Sequence, residues 1–313
     1  MNAMSERLQS GPVPRNSRKR KLLWSLHLMM IPGILLVLVY DYAPMLGLVM
    51  AFQNFKPAFG FFRSEWVGLD NFRYMMELPN IYQVVWNTLF IATMKVVAGL
   101  AVPVLIALLL NEIRVGAVKR GVQTLIYLPH FLSWIILGGI LIDILSPSKG
   151  IVNQMLQGLG FEPVFFLGEQ KLFPYVLVTT DLWKEFGFST IVYLAALTGI
   201  NPSLYEAAVI DGASRLRQAW HISLPGMAPI VILLATLSLG QILNAGFDQI
   251  FNLYSPPVYK TGDIIDTLVY RMGLQQAQYS LSTAVGVFKS VVSFALISTS
   301  YYLAYRFANY RIF

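Results

Sequence analysis

The stretch Thr88–Leu110, TLFIATMKVVAGLAVPVLIALLL, decides what kind of fold this chain adopts. Lys95 is its single charged residue, and the run is long enough to cross the roughly 30 Å hydrocarbon core of a bilayer as a helix. Further stretches have a similar length and apolar character. They are Leu22–Tyr40, Val122–Leu145, Pro174–Leu197, Met227–Phe247 and Thr283–Phe307. The sequence therefore predicts an all-α membrane protein with six transmembrane helices.

The composition of the 313-residue chain supports a membrane protein and excludes several other classes. Hydrophobic residues make up 56% of the chain and charged residues only 12%, whereas soluble domains average about 25% charged residues. Such a chain is neither disordered, nor a coiled coil, nor an ordinary soluble enzyme. Because the chain contains no Cys, disulfides, thiolate metal sites and cysteine nucleophiles are excluded as well.

The distribution of Lys and Arg predicts the orientation of the chain in the membrane. Thirteen of the 23 Lys and Arg residues lie in the two terminal segments and in the loops 111–121 and 198–226. By the positive-inside rule both termini and these loops are cytoplasmic, in a multi-pass protein of the plasma (inner) membrane. Residues 1–21 then form a basic cytoplasmic tail and 22–313 the transmembrane domain. We expect an uncleaved first helix, because the apolar run continues almost to Phe52 without a cleavage site.

The loop between the fourth and fifth predicted helices, residues 201–225, reads NPSLYEAAVIDGASRLRQAWHISLP and is too polar to insert into the bilayer. Asn201 or Ser203 can cap a short helix that begins near Pro202. Gly212 supplies a sharp break, since glycine turns without a Cβ penalty. A second short segment, Arg215–Ile222, then leads into the fifth span. The pattern predicts two short helices on the cytoplasmic face, with small residues that let a partner approach closely.

This loop resembles the EAA loop of ABC-importer permeases. The shared pattern consists of Glu206, Ala207, Ala208, Asp211, Gly212, Ile222, Leu224 and Pro225 at the same spacing. Other stretches resemble carbohydrate-importer permeases, most of all the branch that handles oligosaccharides from complex polysaccharides, including alginate-type importers. They are VGLDNF (67–72), ALLLNEI (107–113), YLPHFLSW (127–134) and FNLYSPPVY (251–259). The resemblance extends over most of the chain from about Leu22 onward.

The resemblance implies the fold of an ABC type I importer permease, in which the EAA loop is a coupling helix seated in a groove of an ATPase subunit. The coupling residues that it implies are Tyr205, Glu206, Ala207, Ala208, Asp211 and Gly212. The implied partners are a second permease subunit, identical or not, two cytoplasmic ATPase subunits and an extracytoplasmic substrate-binding protein. The implied substrate is an oligosaccharide, and fragments of acidic polysaccharides such as alginate belong to that class.

The sequence contains no motif for catalysis or nucleotide binding. The P-loop pattern G-x-x-x-x-G-K-[ST] is absent, and so is the nucleophile elbow G-x-S-x-G. His27, His130 and His221 are far apart in the sequence and lack the spacing of a metal site. We therefore expect a transport subunit with no catalytic residue, cofactor or metal of its own and no nucleic-acid partner, while ATP and Mg²⁺ bind to the partner ATPases.

Several polar side chains fall inside the predicted spans, where a charge usually faces a cavity or a partner. The rise of a helix places most of them between the outer surface and the midplane, as a wet cavity that opens outward would require. The predicted substrate-pathway residues are Trp183, Lys184, Glu185, Gln241, Asn244 and Lys289. Gln241, Asn244 and Asp248 are spaced i, i+3 and i+7, and we expect them to line one helical face.

These polar residues also have structural interpretations. Asp181 and Lys184 are spaced i, i+3 and can pair with each other, and the two amides of the fifth span can form hydrogen bonds between helices. Lys95 and Lys289 can extend their ammonium groups outward to the membrane surface, and we favour this for both. His130 follows a proline, which favours a packed residue at a kink over a ligand.

The sequence favours a carbohydrate ABC importer over an ion-coupled secondary transporter or channel that would use the buried charges directly. The alternative predicts interrupted helices in symmetric halves, which the sequence does not show. A membrane-embedded enzyme is a weaker interpretation, because no catalytic constellation is present. The long segment 248–282 is the expected docking site for the binding protein.

Overall fold

The computed structural model describes residues 17–308, so most of the predicted cytoplasmic tail 1–21 lies outside the described residues. The chain divides into two compact units, residues 1–49 and 50–313. In the first unit, helix α1 (Ser17–Val37) continues into a π-helical turn at Leu38–Tyr42. A 3₁₀ stretch, Ala43–Phe52, follows and runs just past the end of this unit.

The second unit begins with a small antiparallel sheet and a short helix. Strands β1 (Gln53–Asn54) and β2 (Glu65–Trp66) pair antiparallel, and helix α2 (Gly60–Arg63) connects them. Helix α3 (Asp70–Glu77) follows. The Asn71 side-chain amide donates hydrogen bonds to the carbonyl oxygens of Ala51 and Gln53, at 2.9 and 3.0 Å, and so holds α3 against the sheet.

The remainder of the second unit is helical. Its helices are α4 (Ile81–Glu112), α5 (Gly116–Tyr127), α6 (Trp134–Ile144), α7 (Ile151–Gly158), α8 (Phe173–Thr198), α9 (Pro202–Ile210), α10 (Arg215–Gln218), α11 (Leu224–Gly240), α12 (Phe247–Leu253), α13 (Tyr259–Gly262), α14 (Ile265–Tyr270) and α15 (Tyr279–Ala308). Short 3₁₀ turns at Leu128–Phe131 and Pro256–Val258, and π-helical turns at Ala219–Ser223 and Arg271–Gln275, complete the chain.

Four described helices are long and apolar enough to cross a membrane, and each overlaps one of the predicted spans. They are His27–Phe52, Ile81–Glu112, Arg215–Gly240 and Tyr279–Tyr302. The predicted fourth span is also a single helix, α8, with 26 residues. Its three charged residues, Asp181, Lys184 and Glu185, distinguish its composition from that of the other four helices. The all-α membrane fold predicted from the sequence is confirmed.

The predicted third span, Val122–Leu145, is not a straight helix. The segments Gly116–Phe131 and Trp134–Ile144 meet at an angle of 104°. The bend has a local cause, since Pro129 has no N–H to donate to a preceding turn. Ser133 is the N-cap of the next helix, α6, because its Oγ accepts a hydrogen bond from the Ile136 N–H at 3.3 Å.

The predicted fifth span is also interrupted. Helix α11 ends at Gly240, and α12 begins only at Phe247. Between them Gly246 has a φ of +92°, a conformation that favours glycine. The expectation that Gln241, Asn244 and Asp248 line one helical face is therefore wrong, because the helix is broken between them. We call residues 241–246 the helix break.

The segment predicted to dock a binding protein is largely packed inside the second unit. The Asn87 amide of α4 donates to the carbonyl oxygens of Lys260 and Asp263, both at 3.1 Å. The backbone N–H of Ile265 donates to Thr88 Oγ1 at 3.0 Å. Within 248–282, the exposed stretches of two or more residues are 256–257 and 274–278, so these offer the most surface to a large partner.

Helices α5 and α8 pack closely at a glycine, and this contact generates a testable prediction. A Cβ atom at Gly187 would overlap the backbone carbonyl of Ile126. We expect Gly187→Ala to lower the free energy of unfolding by about 1–3 kcal/mol, because backbone atoms cannot move aside as a flexible side chain can. The thermal unfolding midpoint of the protein in mild detergent measures this effect.

The matched control for that variant is Gly139→Ala in α6, where no atom lies within 4 Å of the added Cβ. Alanine favours a helix equally at both positions, so the difference between the variants isolates the close contact. Equal unfolding midpoints for both variants and the unmodified protein would contradict the prediction.

Candidate functional site

The polar loop 201–225 folds as its sequence predicts. Asn201 Oδ1 accepts a hydrogen bond from the Ser203 N–H at 3.0 Å and caps α9 at its start. Gly212, with a φ of +73°, turns the chain after α9. The second short segment is α10, which runs through a π-helical turn directly into α11. The loop is therefore a helix, a sharp turn and a rigid extension of the following span.

Side-chain contacts attach this loop to two long helices. The Tyr205 hydroxyl lies 2.9 Å from Ser223 Oγ, immediately before α11. The buried Gln218 amide donates to the Ala213 carbonyl oxygen at 2.9 Å and closes the turn. Arg215 lies 3.5 Å from Glu112 at the end of α4. The sequence pattern gave no signal for Glu112, Gln218 or Ser223, because their roles depend on contacts between segments.

The outer face of α9 is open and partly apolar. Leu204, Val209 and Ile210 are exposed, with 86% exposure at Ile210, and Glu206 is exposed beside them. Within residues 17–308, Glu206 has no ion-pair partner. A cavity of about 480 Å³ lies between this face, the end of α4 and α10. An exposed apolar helix face beside an unpaired carboxylate is typical of a surface that binds a partner protein.

A buried polar cluster joins α4, α8 and the helix break. The Lys95 ammonium group donates to Asp181 Oδ1 at 3.1 Å, to the Ala245 carbonyl oxygen at 2.8 Å and to Gln249 Oε1. Gln249 is fully buried, and its amide donates to the Leu177 carbonyl oxygen at 2.8 Å. We call Lys95, Asp181 and Gln249 the lysine cluster.

The lysine cluster corrects two expectations from the sequence. Lys95 does not extend to the membrane surface, since its side chain is only 10% exposed. Asp181 does not pair with Lys184, because successive charged residues of α8 point to different neighbours. Asp181 meets α4, and Lys184 meets the bend before α6.

Lys184 and Glu185 belong to a second polar cluster at this bend. The Lys184 ammonium group donates to the His130 carbonyl oxygen at 2.8 Å and to Glu185 Oε1 at 2.9 Å. Glu185 Oε2 lies 2.7 Å from His130 Nδ1, and the His130 ring stacks on Phe188 at 4.0 Å. Both predicted pathway residues thus have structural partners, while their neighbour Trp183 is exposed.

The last predicted pathway lysine, Lys289, is also paired. Its ammonium group lies 2.5 Å from Asp266 Oδ1, so the expectation that it extends to the surface is wrong. Both residues line a cavity of about 520 Å³ together with Asn244, Phe247 and Tyr270. We call this space the aromatic cavity.

Gln241 and Asn244 lie in the helix break and are exposed. They line a second cavity, of about 420 Å³, together with Lys95, Asp181 and Ser189. In the described range 17–308 neither amide side chain forms a hydrogen bond between helices. Asn244 borders both cavities, so the break places a free amide between two polar spaces.

Comparison with known families gives one match over most of the chain. Residues 99–313 match the family described as "Binding-protein-dependent transport system inner membrane component".

Within residues 17–308, no group of three or more His, Asp or Glu side chains is arranged to hold a metal ion.

Two curated relatives from Bacillus subtilis (strain 168) cover nearly the whole chain. The polygalacturonan/rhamnogalacturonan transport system permease protein YteP is 41% identical over 288 residues, which cover 92% of this chain and 90% of YteP. The protein LplB is also 41% identical over 288 residues, with 92% and 91% coverage.

Solved structures agree with these sequence matches. A chain of a bacterial ABC transporter involved in the import of the acidic polysaccharide alginate superimposes with a TM-score of 0.85 and 38% identity. The match covers 94% of this chain and 99% of that one. A second structure, of a bacterial alginate ABC transporter in complex with an alginate pentasaccharide-bound periplasmic protein, gives the same TM-score and identity.

The lysine cluster generates a prediction about stability. Lys95→Met removes the cation and leaves the Asp181 carboxylate and the Gln249 oxygen without their shared donor. We expect the free energy of unfolding to fall by about 3–5 kcal/mol, as when one partner of a buried ion pair is lost. Thermal unfolding in mild detergent checks this, with Lys260→Met as a control at an exposed lysine.

The double variant Lys95→Met/Asp181→Leu tests the cause of that loss. Removing both charges eliminates the uncompensated carboxylate, so the double variant should be more stable than Lys95→Met alone. If the two substitutions simply add, the interaction between Lys95 and Asp181 does not stabilise the fold.

Proposed function

This chain belongs to the family of binding-protein-dependent transport system inner membrane components, and from that premise we propose that it carries an oligosaccharide across the membrane by ATP-driven alternating access. It is a transmembrane subunit of an ABC importer rather than an ion-coupled secondary transporter or channel. The geometry of the loop 201–225 is the observation that carries the proposed mechanism. This loop offers an exposed helix face to a partner and is attached to α4 and α11.

The proposed ATPase contact is formed by the exposed face of α9 and the turn after it. Glu206, Ala207, Ala208, Asp211 and Gly212 would lie in a groove of the ATPase subunit, as the resemblance to the EAA loop implies. Small side chains allow close approach of the ATPase, and the apolar Leu204, Val209 and Ile210 would be buried on assembly. ATP and Mg²⁺ bind to that partner, which supplies the energy of transport.

Movement of the ATPase subunits would reach the pathway through α11. Tyr205 contacts Ser223 at 2.9 Å, and α10 continues into α11, whose far end is the helix break. A displacement of α9 would therefore be transmitted to the break and to the two cavities that Asn244 borders. Higher affinity of ATP for one arrangement of the subunits supplies the bias between outward and inward exposure.

The proposed substrate is an oligosaccharide derived from a polysaccharide. Support comes from the named substrates of relatives, polygalacturonan/rhamnogalacturonan for YteP and alginate for the solved transporter. The cavities beside the helix break combine amides, hydroxyls and aromatic rings, the groups that typically line small-molecule sites. Asn244 is the proposed central contact. Trp183, Lys184, Glu185, Gln241 and Lys289 remain proposed pathway residues.

The proposed assembly has a second permease subunit, two cytoplasmic ATPase subunits and an extracytoplasmic binding protein. Both termini and the loop 201–225 would face the cytoplasm. The binding protein would then dock on the opposite side, where the stretches 256–257 and 274–278 are exposed. The structure of the relative in complex with a periplasmic protein supports this assembly.

Gly212 provides the test of the proposed coupling. Gly212→Val places a β-branched residue at a φ of +73°, and the strain of about 1–3 kcal/mol should distort the turn. We expect sugar uptake by the reconstituted complex to fall about tenfold or more while the permease pair still assembles. Uptake into proteoliposomes measures transport, and co-purification of the second permease subunit measures assembly.

The control for this experiment is Gly121→Val, at an exposed helical glycine with no atom within 4 Å of an added Cβ. It should leave both uptake and co-purification near the level of the unmodified complex. Normal uptake by an assembled Gly212→Val complex would contradict the proposed role of the turn.

A variant at Tyr205 distinguishes the coupling of ATP hydrolysis to transport from the binding of the ATPase subunit. Tyr205→Phe keeps the ring but removes the hydroxyl that contacts Ser223, an interaction worth about 0.5–1.5 kcal/mol. We expect the ATPase to bind normally and the number of sugars taken up per ATP to fall. A normal ratio of uptake to ATP hydrolysis would show that this contact does not transmit movement.

A further inference from the structure

Five half-exposed aromatic rings form a continuous row in the segment between α11 and α15. Phe247, Phe251, Tyr254, Tyr259 and Tyr270 make up this row, which we call the aromatic track. Neighbouring ring centroids lie 5.2 Å apart for Phe247 and Phe251, 6.2 Å for Phe251 and Tyr254, and 4.9 Å for Tyr254 and Tyr259. Tyr270 lies 4.8 Å from Phe251 and 5.5 Å from Phe247.

Buried residues on the opposite side of α12 hold the aromatic track in place. Phe247, Phe251 and Tyr254 follow i, i+4 and i+7 spacing and share one side of the chain at α12. The other side of α12 is buried, with Gln249 and Ile250 at 0% exposure. Gln249 belongs to the lysine cluster, so the backbone that carries the rings is fixed to α4 and α8. The ring faces are therefore positioned before any ligand arrives.

The two ends of the track open into two different cavities. Phe247 and Tyr270 line the aromatic cavity beside Asn244. Tyr259 lines another cavity, of about 420 Å³, at the N-terminal end of α4, which we call the α4-end cavity. Asn80, Gln83 and Lys260 also border the α4-end cavity and supply hydrogen-bonding groups. Aromatic rings thus connect two spaces that both contain amides and charged groups.

The polar groups along the track can form hydrogen bonds but carry little net charge. Asp263 pairs with Arg271, whose guanidinium lies 4.8 Å from the Tyr259 ring centre, and Asp266 pairs with Lys289. Burial, and the neighbouring Tyr259 with it, raises the pKa of Tyr254 to about 12, so its phenol stays protonated at neutral pH. A ligand would meet aromatic rings flanked by neutral or paired polar groups, together with the Lys260 ammonium group at the α4-end cavity.

A sugar chain has the matching chemistry. Each pyranose ring presents an apolar C–H face that can lie on an aromatic ring, and hydroxyl groups at its rim that can bond to amides and phenols. We infer that the aromatic track binds two or more consecutive sugar rings of an oligosaccharide and leads it from the α4-end cavity to the aromatic cavity. This inference rests on the proposed oligosaccharide transport and adds an extended binding site to it.

Cysteine labelling tests the inference directly, because the chain contains no Cys of its own. Phe251→Cys and Tyr259→Cys introduce single thiols on the track in the complete importer. We expect an alginate pentasaccharide or an oligogalacturonide to slow maleimide labelling of both thiols. Phe90→Cys is the matched control, since Phe90 is a half-exposed ring of a stacked pair outside the track, and its labelling should not change.

Transport by conservative variants gives a second readout. Phe251→Leu and Tyr254→Leu keep apolar bulk but remove the flat ring face, and each should lower kcat/KM for a pentasaccharide about three- to tenfold. The loss should be smaller for a disaccharide, which covers fewer rings. Phe90→Leu should change neither value.

The outcomes separate this inference from the proposed function. Uptake of either sugar by the unmodified complex supports the proposed function, and its absence for both counts against it. The track is overturned if both thiols label at the same rate with and without the sugar that the complex transports. It is also overturned if the Leu variants lose the second permease subunit on purification, because the rings would then form a subunit contact.

Discussion

The Lys95 ammonium group is the element on which the arrangement of the second unit depends. It lies in the middle of α4, in a stretch that is otherwise apolar, where an unpaired charge would cost several kcal/mol. Asp181 of α8 and the Ala245 carbonyl oxygen of the helix break meet this charge at 3.1 and 2.8 Å. One lysine therefore ties α8 and the end of the fifth span to α4. Gly246 makes this possible, since a Cβ there would lie 2.9 Å from Lys95 Nζ.

The same cluster lies at the far end of the helix that the loop 201–225 extends. Helix α11 is attached to α9 through Tyr205 and Ser223 at one end, and it ends at the helix break beside Lys95 at the other. Because polar bonds rather than continuous helix hold the break, a change in its arrangement would not require unwinding of a transmembrane helix. In the proposed mechanism α11 transmits the movement of α9, and at the helix break this movement changes the shape of the cavities.

Local features of this structure could be predicted from the sequence, whereas contacts between distant segments could not. Asn201, Pro202 and Gly212 determine a cap, a helix start and a turn within a few residues, so the short helices of the loop 201–225 were predicted correctly. The length of the apolar stretches likewise predicts the membrane fold. The partner of Asp181 depended on which helix packs against α8, and an i, i+3 rule pointed to the wrong lysine. Gln249 gave no signal, because a single amide in a polar segment looks solvent-exposed until the fold buries it.

The pairing of charges bears on how such a subunit selects a substrate. In the described part of the chain, each lysine inside a predicted span, Lys95, Lys184 and Lys289, has a carboxylate within 3.1 Å. An acidic sugar entering these cavities would have to compete with a carboxylate already bound to the cation, and breaking a partly buried pair is costly. In the two cavities that Asn244 borders, selection would therefore rest on ring faces and neutral hydrogen-bonding groups. Discrimination by charge would fall to the binding protein or the second permease, so chains of this design could serve acidic and neutral oligosaccharides alike.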